Sequence, residues 1–256
     1  MSGRSGVAER RRTIRVRGKP AGYQEAGAGP VAILTAGLGM TGRFYERSFP
    51  AFASSGIRLI VPDLPGWGDT PGPRTGQTPE QTASFLVDFA EALGVRRAVW
   101  IGHSLGAQAV VEVAAGRPDL AVGIVLAGPT GAPGGWRLVR QLRGLVIEGG
   151  RASPSVIGAA AREYIRSSPV RGIGSWLRHG RHDMTARLPQ VRCPALLLAG
   201  DADAVVDRSS IELLRHRIPQ ARVHWVRGAT HALPRGHAEA FNRLVIEFVW
   251  STAAAG

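Results

Sequence analysis

The stretch A-V-W-I-G-H-S-L-G-A-Q-A-V-V-E-V-A-A, residues 98–115, decides the reading of this chain. Residues 98–102 are apolar without polar alternation, as in a strand buried on both faces, and 105–115 carry helical spacing. Between them, Gly102-His103-Ser104-Leu105-Gly106 forms a G-x-S-x-G string at a strand-to-helix junction. A sharp turn there holds a serine hydroxyl clear of both elements and requires small flanking residues. Ser104 is therefore a candidate nucleophile; the plainer alternative is a Gly-rich turn with a capping serine.

The same alternation continues in both directions. Apolar runs at 31–36, 57–62, 122–128, 195–200 and 222–226 read as strands, and 43–54, 79–93, 208–217 and 238–250 as helices. R-T-I-R-V-R-G (12–18) and A-G-Y-Q-E-A-G (21–27) read as an antiparallel pair ahead of them. The expected fold is α/β, a mostly parallel central sheet flanked by helices. Between Gly128 and Cys193 no strand pattern occurs. Three helical faces do: Val139, Leu142 and Val146; Ile157, Ala161 and Ile165; Ile173, Trp176 and Leu177. Residues 131–190 are expected to form a small helical cap over the sheet, with 12–130 and 191–256 as the core and 1–11 as a disordered basic tail.

A serine hydroxyl needs a base, and the base an orienting acid, from the ends of later strands. G-D-A-D-A-V-V offers Asp203, with Asp201 as fallback and Asp207 as the cap of the next helix; R-G-A-T-H offers His231. Backbone amides of Leu105 and of Leu38, in the loop after the run at 31–36, are the candidate oxyanion donors. That loop also carries a rival. Gly37, Gly39 and Gly42 form G-x-G-x-x-G after a strand, with Asp63 ending the next, which is a dinucleotide fingerprint. Two strands precede it, however, and a nicotinamide or flavin reading leaves Ser104, Asp203 and His231 unexplained.

Together the loop at 36–40, D-L-P-G-W-G-D (63–69), G-H-S-L-G, G-D-A-D-A-V-V, and G-A-T-H followed by E-A-F (239–241) resemble the α/β-hydrolase fold superfamily of the cap-bearing kind, over nearly all of 12–250. The resemblance implies a cofactor-independent serine hydrolase acting on an ester or similar acyl bond. Carbon–carbon bond hydrolysis or a lyase or cyclase step on the same fold is the alternative. Two positions depart from the family pattern: Ala36 replaces the usual histidine before Gly37, and Gly236 stands where an acidic residue often follows the catalytic histidine.

The chain has 256 residues and a net charge of +13, yet Lys19 is the only lysine among 32 basic residues, which excludes a G-K-[ST] phosphate loop or a Tyr-x-x-x-Lys pair. The arginines are dispersed, with no aromatic-interleaved stripe, so nucleic acid is not expected as a partner. No run reaches the ~18 apolar residues of a membrane span, and Cys193 is the only cysteine. A cytoplasmic protein acting on a small molecule, without membrane partner, metal or cofactor, is expected; oligomeric state is open. His179 and His182 read as a solvated helix end. Residues 131–192 hold 11 Arg against Glu148, Glu163 and Asp183. Arg137, Arg140 and Arg143 are therefore candidates for an anionic substrate, and Trp67 and Trp136 for the pocket lining.

Overall fold

A computed structural model of the chain describes residues 9–132 and 137–254. Eight strands form one sheet: β1 (Arg10–Val16), β2 (Lys19–Ala26), β3 (Val31–Thr35), β4 (Arg58–Pro62), β5 (Ala98–His103), β6 (Ala121–Ala127), β7 (Ala195–Gly200) and β8 (Ala221–Val226). Their spatial order is β1-β2-β4-β3-β5-β6-β7-β8. Only the pairs made by β1 and β2 are antiparallel; β4 through β8 run parallel. Helices α1 (Ser48–Ser54), α2 (Pro79–Ala92), α3 (Gly106–Gly116), α4 (Arg137–Arg151), α5 (Pro154–Arg166), α6 (Pro169–Arg181), α7 (Arg208–Arg217), α8 (Leu233–Gly236) and α9 (Ala238–Ala253) complete the described part.

Burial explains the arrangement. Every residue of β5 and β7 is buried, so both sheet faces need covering. On one face α2, α3 and α7 supply Leu86, Phe89, Val110, Ile211 and Leu214; on the other α1 and α9 supply Phe49, Phe52, Phe241 and Val245. Local sequence sets the helix starts. Thr78 and Gln81 form a reciprocal capping box with Pro79 in the first turn of α2, and Asp207 accepts the Ser210 N–H at the start of α7, as read from sequence.

Three expectations change. The helix read at 43–54 is split into a 3-10 turn at Gly42–Tyr45 and α1, because Pro50 lacks the N–H that a helix continuing from upstream would use. Arg10 and Arg11, read as tail, open β1, where Arg11 bonds Asp63 and Asp69 on the core; residues 1–8 lie outside the described residues. Of the apolar faces of α4–α6, read as lying over the sheet, Val139, Leu142, Val146, Ile165, Ile173 and Leu177 point to solvent, while Trp176 stays half-buried. Val146 and Ile165 are 71% and 84% exposed, and Trp250 is the only exposed large apolar residue of the described chain outside those three helices.

Candidate active site

The turn between β5 and α3 is built by steric exclusion. A Cβ on Gly102 would lie 2.5 Å from Ala107 Cα, and one on Gly106 2.4 Å from the Thr35 carbonyl oxygen, so neither position admits a side chain. Ser104 between them has φ of +54°, a left-handed conformation that costs a non-glycine residue on the order of 1–3 kcal/mol. The turn is held by the Ser104 N–H on the Ala127 carbonyl, 2.9 Å. It leaves Oγ free of its own backbone.

The loops after β7 and β8 bring Asp203 and His231 to this turn. His231 Nε2 lies 2.8 Å from Ser104 Oγ, and His231 Nδ1 2.9 Å from Asp203 Oδ2. Since a carboxylate only accepts, Nδ1 carries the ring proton and Nε2 is left to accept the serine O–H. The other Asp203 oxygen accepts the N–H groups of Val205 and Val206, at 2.7 and 2.9 Å, which fixes the carboxylate plane. Asp201 is turned away to the Gly228 N–H. Burial pushes Asp203 up, but the His231 charge and its hydrogen bonds win and hold the carboxyl below its ordinary value. For His231 burial pushes the other way, downward. The Asp203 carboxylate and the Glu148 charge outweigh it, and the imidazole is raised above 6.5.

Leu38 and Leu105 line the same cavity as Ser104 and His231. Among the described residues neither of their amides is used in a loop or cap hydrogen bond. The chain's departure at Ala36 has its counterpart nearby. Tyr45 accepts the Gly37 N–H at 3.1 Å and donates to His103 Nδ1 at 2.9 Å; His103 Nε2–H then donates to the His231 carbonyl at 3.1 Å. This relay needs a neutral His103, and burial, then the facing His231 charge, push its pKa down to about 3. Arg235, beside Gly236, ties this loop to its neighbours. It is buried and donates to the carbonyls of Phe44 and Ser155 and to Glu46.

Glu148, on α4, was not singled out from sequence. Its side chain is buried; Oε2 accepts the His231 N–H at 3.1 Å and Oε1 the Ala204 N–H at 3.0 Å. One carboxylate from the helical insert thus holds both loops that carry Asp203 and His231. Its only sequence trace is an acidic residue on a basic amphipathic helix.

Several candidates lie elsewhere. Arg140 pairs with Asp207 at 2.5 Å, and neither Arg140 nor Arg143 lines the cavity. Trp136 and the Arg137 side chain lie outside the described residues. Trp67 is buried under Arg171, whose guanidinium carbon is 6.0 Å from its ring, and lies outside the Ser104 cavity. His179 and His182 are not solvated: His179 is buried on the Ser175 carbonyl and pushed down by burial to about 4, and His182 bonds Gln108 and Glu112 on α3. Burial pushes the Cys193 thiol up to about 11, away from nucleophile chemistry. The dinucleotide alternative fails on geometry. Gly42 opens a four-residue 3-10 turn rather than a helix whose N-terminus could face a pyrophosphate, and Asp63 is fully buried against Arg11 and the Asp69 N–H.

The cavity beside Ser104 has a volume of about 510 Å³. Met40, Phe44, Leu145, Val156, Ile157 and Trp176 are among the residues of its apolar wall, and among the described residues no arginine lines it. Among the described residues no helix is long and apolar enough to cross a membrane.

Known proteins match this architecture closely. The chain is 28% identical over 258 residues to a 2-hydroxy-6-oxononadienedioate/2-hydroxy-6-oxononatrienedioate hydrolase of Burkholderia vietnamiensis, covering 89% of this chain and 90% of that protein. It is 27% identical over 256 residues to a pimeloyl-(acyl-carrier protein) methyl ester esterase of Vibrio cholerae, covering 88% and 96%. The fold superposes on an esterase from Thermogutta terrifontis with a TM-score of 0.81 at 22% identity, over 95% of this chain and 99% of that one. The Alpha/beta hydrolase family profile matches residues 32–244. With the parallel sheet and the strand-to-helix turn at Ser104 already in place, that match makes the chain a member of the alpha/beta hydrolase family.

Proposed function

We propose that the protein is a cofactor-independent serine hydrolase that cleaves an ester or similar acyl bond of a neutral, apolar substrate. The observation that carries this reading is the continuous chain Asp203–His231–Ser104, with separations of 2.9 and 2.8 Å. Ser104 Oγ attacks the carbonyl carbon while His231 Nε2 takes its proton, and Asp203 stabilises the imidazolium that forms. The amides of Leu38 and Leu105, the latter at the positive end of α3, hold the oxyanion. As the tetrahedral intermediate collapses, His231 returns the proton to the leaving alcohol, and a water activated by the same imidazole releases the acid.

The apolar cavity wall supports a neutral acyl group. The carboxylate in that wall, Glu148, disfavours an anionic one, so the anionic substrate expected from the arginine excess is replaced here. Carbon–carbon bond hydrolysis is the second reading, favoured by the Burkholderia relative. That relative's named substrate is a dicarboxylate, and among the described residues no cation lines this cavity to receive one.

The test compares two p-nitrophenyl esters, one with a plain acyl chain of about six carbons and one whose chain ends in a carboxylate. The reading expects the neutral ester to have a kcat/KM at least tenfold higher, and Ser104→Ala to abolish turnover of both. Preference for the carboxylate ester would overturn the substrate class. No turnover of either ester by a protein that still forms a fluorophosphonate adduct at Ser104 would favour the carbon–carbon reading.

A further inference from the structure

The exposed apolar residues of the insert form stripes, not scattered points. Val139, Leu142 and Val146 follow i, i+3, i+7 on α4, and Ile173 and Leu177 follow i, i+4 on α6, so each set shares one helix face. Trp176 Nε1 donates to Gln141 Oε1 at 3.1 Å, which places the two helices side by side. Leu145 on α4 and Ile157 and Tyr164 on α5 are exposed and also line the Ser104 cavity. The cavity mouth is therefore continuous with the apolar surface.

The charge on this surface has one sign. Arg143, Arg151, Arg162, Arg166, Arg178 and Arg181 are exposed, whereas both carboxylates of α4–α6, Glu148 and Glu163, are buried. Exposed apolar stripes on basic amphipathic helices fit the boundary of a bilayer rich in anionic lipid, where side chains reach the acyl region and guanidinium groups meet phosphates. A second copy of the chain offers the same positive face, and two such faces repel.

We propose that α4–α6 dock the protein on an anionic lipid surface and that apolar substrate passes from that surface through the Leu145, Ile157 and Tyr164 mouth to Ser104. The passage of substrate rests on the hydrolase reading; the docking does not. This is peripheral attachment, and it departs from the expectation of no membrane partner drawn from the sequence.

The test is flotation of the full chain with phosphatidylcholine vesicles and with phosphatidylcholine–phosphatidylglycerol vesicles. Flotation is expected with the anionic vesicles only, weakened about tenfold between low and high salt. It is expected to be lost in the variant Leu142→Ser, Val146→Ser, Ile173→Ser. None of these three side chains lines the cavity, so turnover of a water-soluble ester by this variant stays at the wild-type level and reports that it is folded. Ser104→Ala floats like wild type, which separates failure of the docking from failure of the chemistry. Absence of flotation with either vesicle overturns the proposal, as does flotation unchanged by the triple replacement. A concentration-dependent dimer in sedimentation that the triple variant abolishes, without vesicle binding, assigns the face to self-association instead.

Discussion

The sheet and the helical insert use the same apolar residue types and treat them in opposite ways. Leu198, Leu34 and Phe49 of the core are fully buried, whereas Val146, Ile165 and Val170 of the insert are more than two-thirds exposed. Periodicity announces that a helix has an apolar face; it does not announce what covers that face. The insert is tied to the core by a few small apolar contacts, Val156, Ala159 and Ala160, and by polar ones. Glu148 reaches the two catalytic-side loops, Arg171 the Gly66 and Pro73 carbonyls, and Arg235 the Ser155 carbonyl. The two regions meet at the cavity. The core supplies Ser104, His231 and Asp203, and the insert supplies much of the apolar wall and one carboxylate that holds two loops.

This contrast can be broken in several ways. Replacing Ser104 with Ala is expected to lower kcat by about 10⁴-fold or more, with thermal unfolding unchanged, since its hydroxyl is expected to act on the substrate and not in packing. A comparable loss of folding would put Ser104 in the core's structural role. Leu198→Ala, by contrast, empties a fully buried site and is expected to cost about 2–5 kcal/mol in denaturant unfolding. Ile165→Ser in the insert is expected to stay within about 0.5 kcal/mol. Equal costs would mean that the insert's apolar faces are covered.

Glu148→Gln sharpens the link between the regions. A neutral amide removes a charge that raises His231 and can accept only one of the two N–H groups through its single carbonyl oxygen. His231 must be unprotonated to act, so wild-type kcat/KM falls as pH drops through a value above 6.5. In the variant the acid limb shifts to lower pH, and kcat falls about tenfold or more as the loops loosen. A loss of rate without the shift would leave Glu148 a purely structural tie. The smallest effect is expected for Arg140→Ala. Its partner Asp207 lies outside the cavity, so the preference between neutral and anionic esters stays the same.

The legible part of the site was the part written locally. Ser104 sits in a five-residue string whose glycines are demanded by atoms four or five residues away or at the end of the adjacent strand, and Asp203 and His231 follow strand ends in a fixed order. The illegible part joins positions far apart in the chain. The Gly37–Tyr45–His103–His231 relay and the Glu148 clasp depend on which loops meet above the sheet, and no spacing encodes that. The arginine excess misled for a related reason. Arg140 and Arg143 lie on α4, which lines the cavity, yet neither is among its lining residues, and only packing decides which face of α4 lines the site.

The central claim is that Ser104 is a nucleophile activated by His231 and Asp203. Intact-protein mass spectrometry after treatment with a fluorophosphonate, followed by peptide mapping, tests it most directly. A single adduct on the peptide carrying Ser104 is expected, forming faster as pH rises through the His231 titration and absent in Ser104→Ala and in His231→Ala. An adduct at another residue, or one at Ser104 that forms equally fast in His231→Ala, would contradict it.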